Sequence, residues 1–128
     1  MRTRNVRAGF TLIELLVVLA IIGTLISIAL PKYLHSVARS REAVLHQDLR
    51  TMRTAIDQYL ADTGRYPATL EDLVKARYLR SLPEDPVTGL ASSWVSVAPP
   101  EGVASTGVYD IRSGAEGISL EGTAYAQW

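Results

Sequence analysis

One carboxylate stands where a charge is expensive. Glu14 is the only charged side chain between Phe10 and Leu30, in the run FTLIELLVVLAIIGTLISIAL. At 1.5 Å rise per residue, these roughly 21 residues span about the 30 Å hydrocarbon core of a bilayer. A carboxylate in a spanning helix costs on the order of 2.5 to 3.5 kcal/mol on insertion scales, so it needs a partner or a headgroup within reach. Immediately upstream, Gly9-Phe10 joins a basic leader to the apolar run. Other residue types that could do chemistry lack the spacing for it. His35 and His46 lie eleven apart with no HExxH arrangement and read as solvated helix histidines. Gly114, Gly117 and Gly122 make neither G-x-G-x-x-G nor a P-loop and read as loop glycines. No Ser-His-Asp constellation stands out. With no cysteine, a disulfide framework, a thiolate metal site and a cysteine nucleophile are excluded.

The elements that must position Glu14 follow from charge and periodicity. Arg2, Arg4 and Arg7 sit in the leader MRTRNVRAG with no acid, so the N-terminus stays in the cytoplasm and the rest is exported. A secretory signal would carry a shorter apolar core and an A-x-A-like site; here Pro31-Lys32 follows the run directly. Beyond it, Val37, Val44, Leu45, Leu49, Met52, Ile56, Tyr59 and Leu60 recur mostly three or four apart among charges, which predicts an amphipathic helix. Asp62-Thr63-Gly64 and Pro67 end it. Joined to the spanning segment, it makes a helix of about 53 residues, on the order of 80 Å, interrupted at Pro31. Gly23 to Pro31 is its least secure stretch.

The remaining half is rich in Gly, Pro and Ser. Thr69-Leu70-Glu71-Asp72, followed by Leu73, Val74, Tyr78 and Leu79, predicts a capped short helix stopped by Leu82-Pro83-Glu84-Asp85-Pro86. Trp94 to Ala98 and Val108 to Ile111 read as short strands. A small antiparallel sheet on the Val37 to Leu60 face would bury both, an α+β architecture with a loop-rich C-terminus. Tyr66, Tyr78, Trp94, Tyr109, Tyr125 and Trp128 are expected to form most of that core, Trp128 pinning the tail. A formal net charge of zero, 13 Lys and Arg against 13 Asp and Glu, argues against a nucleic-acid partner.

Gly9-Phe10-Thr11-Leu12-Ile13-Glu14-Leu15-Leu16-Val17-Val18 behind a short basic leader resembles the class III signal of type IV pilins and type II secretion pseudopilins. Thr63-Gly64-Arg65-Tyr66-Pro67, Leu82-Pro83-Glu84-Asp85-Pro86 and Tyr109-Asp110-Ile111-Arg112-Ser113-Gly114, with a tryptophan at 128, resemble the major pseudopilins. The missing cysteines lean the same way. The resemblance implies cleavage after Gly9 by a prepilin peptidase, N-methylation of Phe10, a role for Glu14 in assembly, and melting between Gly23 and Pro31 on packing. Cleavage would leave ten basic against thirteen acidic side chains.

The organisation expected is a cleaved leader over residues 1–9, a transmembrane assembly helix over 10–30 and a periplasmic pilin-like domain over 31–128. The resemblance implies a non-enzymatic filament subunit in the bacterial inner membrane. Its partners would be further copies of itself, minor pseudopilins, prepilin peptidase, an inner-membrane assembly platform and lipid. A surface type IV pilin and a monomeric membrane-tethered binding module are the alternatives. The family also implies calcium near the C-terminus, held by a carbonyl, a serine and two aspartates. Here Glu121-Gly122-Thr123-Ala124-Tyr125-Ala126-Gln127 precedes Trp128 and those aspartates are missing, so no cofactor is expected. Asp110, Ser113, Glu116 and Glu121 remain as the oxygen donors to consider, for an ion that wants six to eight.

Overall fold

The structure, a computed structural model, describes residues 8–103 and 105–128. The arginines of the leader, Arg2, Arg4 and Arg7, lie outside the described residues. The fold is α+β, in the order α1 (Leu12–Thr63), α2 (Leu70–Lys75), β1 (Val95–Val97), β2 (Asp110–Arg112) and a 3-10 turn at Tyr125–Gln127. It divides into two compact units, Met1–Val37 and Ala38–Trp128.

In the first unit, α1 carries its apolar side chains exposed from Leu12 to Leu30. Against the expectation from sequence of an interruption at Pro31, the helix runs through it, and Pro31 lies inside α1. Proline removes the one bond its own N–H would make and crowds the carbonyl four residues back, a local cost that can kink a helix without ending it. The turns before it are retained, and Thr24 Oγ1 and Ser27 Oγ donate to the Ala20 and Gly23 carbonyls, each at 2.8 Å.

In the second unit, the buried stripe of α1 runs Glu42, Leu45, Leu49, Met52, Ile56, with Ala55 beside it. This 3-4-3-4 spacing is one helical face. Val44, expected in that face, is 49% exposed, because it sits one residue off the stripe. Leu70, Leu73, Leu79, Trp94, Val108 and Ile111 close the core over it. The strands pair antiparallel, Val95 with Arg112, Ser96 with Ile111 and Val97 with Asp110, and Ile111 is the strand residue buried completely. Of the six aromatics, Trp94 is core and donates its indole N–H to the Pro83 carbonyl at 2.8 Å. Tyr109 is exposed, against expectation, and meets Tyr66 edge-on at 5.5 Å.

The short helix α2 starts as its sequence predicts, with the Thr69 N–H donating to Asp72 Oδ2 at 3.1 Å. It stops earlier, at Lys75, with Tyr78 and Leu79 beyond it. Arg77 adopts φ 65°, and the Arg77 and Tyr78 N–H groups turn back to the Val74 and Leu73 carbonyls. That is a Schellman stop with arginine where glycine is usual.

Candidate functional site

The N-terminal segment is built on a helix start. Thr11 precedes α1; its carbonyl accepts the Leu15 N–H at 3.1 Å and its hydroxyl accepts the Glu14 N–H at 3.2 Å. Thr11 is therefore an N-cap, and Thr11-Leu12-Ile13-Glu14 has the spacing of a capping box, a signal sequence reasoning missed. Glu14 lies in the first turn, where the partial positive end of the helix favours a carboxylate. Gly9 and Phe10 lie ahead of the helix and are exposed. Gly23 has nothing within 4 Å of where a Cβ would stand.

The other nominated residues stay apart. Asp110 is engaged with Arg53, Nε to Oδ1 at 2.7 Å, while Arg53 Nη2 donates to the Ile111 carbonyl at 2.9 Å. The Ser113 hydroxyl is buried and donates to Asp85 Oδ2 at 2.5 Å. Glu116 and Glu121 are exposed. The four calcium candidates do not converge, and among the described residues no three His, Cys, Asp or Glu side chains group as metal ligands.

The structure adds two acids that the sequence did not single out. Asp85 is fully buried, and its Oδ1 accepts the Val87 N–H at 2.8 Å and the Thr88 N–H at 3.3 Å, folding the turn after Pro83. Glu42 is 7% exposed on α1, and its Oε1 accepts the Leu120 N–H and the Tyr125 hydroxyl, each at 2.8 Å. Burial, and then this bond to Glu42, push the Tyr125 phenol above its ordinary value. The signal for Glu42 was its helical phase, three residues before Leu45 on the core stripe. His46 is exposed, as expected, and carries the Trp128 ring, stacked at 3.8 Å and 14°.

The model of the prokaryotic N-terminal methylation motif matches residues 4–30. Over 88% of its length the chain is 32% identical to the type II secretion system core protein G of Escherichia coli (strain K12), covering 84% of that protein. The chain belongs to the type II secretion major pseudopilins, within the type IV pilin-like family. Core protein G of Pseudomonas aeruginosa is 33% identical over 65% of this chain and 70% of its own. The fimbrial protein EcpC of Eikenella corrodens is 35% identical over 94% of this chain and 78% of its own. No solved structure matches. Membership makes this a structural subunit that self-assembles into a filament. The apolar part of α1 is, among the described residues, the one segment long and apolar enough to cross a membrane, which makes the subunit single-pass and membrane-anchored.

Proposed function

We propose that this chain is the structural subunit of a periplasmic pseudopilus that drives type II protein secretion, and that it does no catalysis of its own. The single observation that carries the reading is the exposed Gly9-Phe10 junction four residues ahead of a first-turn glutamate. Prepilin peptidase cuts after Gly9 and methylates the amine released on Phe10. That amine is a cation at membrane depth, and Glu14 of a neighbouring subunit is an anion at the same depth. Either alone is costly in lipid, so each stabilises the other on docking. The C-terminal domain lies in the periplasm, and assembly engages minor pseudopilins and the inner-membrane platform, with no nucleic acid and no calcium.

Deletion of the gene tests this reading. Secreted enzymes should accumulate in the periplasm and be released again when the wild-type chain is restored. The fimbrial relatives support a second reading, a surface pilus. Loss of surface filaments with secretion intact would establish that reading and overturn the first.

A further inference from the structure

We infer that the C-terminal loop of this subunit is closed by an internal anion, the Glu42 carboxylate of α1, in the role that the family resemblance gives to a calcium ion. The loop is a small hairpin. Ile118 bridges Ala124, the Ser119 N–H donates to the Thr123 carbonyl at 2.7 Å, and the Gly122 N–H closes the turn on the Ser119 carbonyl at 3.0 Å. The side-chain oxygens of Ser119, Thr123, Asp110 and Ser113 are already committed. The Ser119 and Thr123 hydroxyls bond each other at 2.9 Å, and Thr123 Oγ1 also accepts the Trp128 indole N–H at 2.8 Å. Asp110 is held by Arg53, and Ser113 by Asp85.

What the loop aims at α1 is of the opposite polarity. Two donors, the Leu120 N–H and the Tyr125 O–H, converge on Glu42 Oε1. A calcium site turns carbonyl and carboxylate oxygens inward; this loop turns N–H and O–H groups inward, and what satisfies them is a carboxylate. A buried carboxylate is tolerated only when hydrogen-bonded, and buried donors are costly to leave unpaired, so loop and glutamate each fix the other. His46, one helical turn on, stacks on Trp128 beside the same loop. Glu42 is thus a positioning residue for residues 117–128. The inference rests on this geometry alone and stands apart from the secretion reading.

Release of the C-terminal residues by a metal-independent serine carboxypeptidase, timed on the full-length chain in detergent, reads the latch. Glu42→Ala should speed release tenfold or more, and Tyr125→Phe, which removes one of the two donors, by a smaller factor. Formate, small enough to occupy the space vacated in Glu42→Ala, should slow release again, whereas chloride at the same ionic strength should not. In the wild type, calcium and a chelator should give the same rate. If Glu42→Ala does not fold, Tyr125→Phe and the wild-type calcium comparison still decide. Wild-type release slowed tenfold by calcium, or unchanged release in Tyr125→Phe, would overturn the inference. So would a folded Glu42→Ala that formate leaves unprotected.

Discussion

Glu14 carries two opposed demands, solubility in the bilayer and attraction to a neighbour's amine. Glu14→Ala removes the first cost, so insertion and leader cleavage should proceed. It also leaves the docking amine unpaired, so filaments should be lost. Intact mass of membrane-extracted protein, beginning at an N-methylated Phe10, together with sheared filament yield, checks both halves. Normal filament yield from Glu14→Ala would end the pairing argument. At the other end of the chain, Trp128 is half-buried against His46 and Tyr125 and does not sit in the main core. Trp128→Ala should therefore cost about 1–2 kcal/mol, from the stack on His46, the edge contact with Tyr125 and one hydrogen bond. A loss of 3 kcal/mol or more, the scale of a core tryptophan, would contradict that placement.

Elements were legible in proportion to how locally they are specified. The amphipathic stripe, the glycine stop of α1 at Gly64 (φ 73°) and the start of α2 at Thr69 are short-range signals, and the structure has all three. The stop of α2 was hidden because its left-handed position is occupied by Arg77 instead of glycine. An L-residue there costs about 1–2 kcal/mol, partly offset by the lower unfolded-state entropy of a non-glycine. Arg77→Gly should therefore stabilise the domain by about 0.5–1 kcal/mol, a rise of a few degrees on thermal melting. A lower melting temperature would refute the strain. Glu42 was hidden for a different reason: periodicity was read from apolar residues alone, and an acid in core phase acquires meaning only from donors 78 and 83 residues away. Gly114 was legible as a loop glycine, but not its role. A Cβ on it would stand 2.0 Å from the Ser93 carbonyl oxygen, so Gly114→Ala should force the two backbones apart at a cost of about 3 kcal/mol. Chemical denaturation of that variant at a near-wild-type midpoint would show that the approach is not needed.

Across the Ala38–Trp128 unit, one titration sets a pH dependence of stability. Burial, and then the nearby Asp85, raise the Asp48 carboxyl above its ordinary 3.8. A raised acid pKa in the folded state means that folding favours the protonated form. The stabilising contribution of Asp48 is complete below 3.8, fades as pH climbs through the raised value, and is absent at neutrality. Asp48→Asn should raise the melting temperature near pH 7 and lose that advantage near pH 3.5. Equal gain at both would deny the electrostatic origin.

The long-range bonds of this unit also order events in time. The stripe Leu45, Leu49, Met52, Ile56 is complete once residue 63 has been made, while Ile111, the Arg53 partner Asp110 and the Glu42 partners come from residues 110–125. At about 5–20 residues per second, α1 waits for several seconds with its apolar face covered only in part, by Leu70, Leu73, Leu79 and Trp94, and with the Glu42 carboxylate still without its donors. A nascent chain stalled before residue 110 should therefore be more open to chaperones and proteases than one extended past residue 125, because residues 110–125 supply the partners that close the fold.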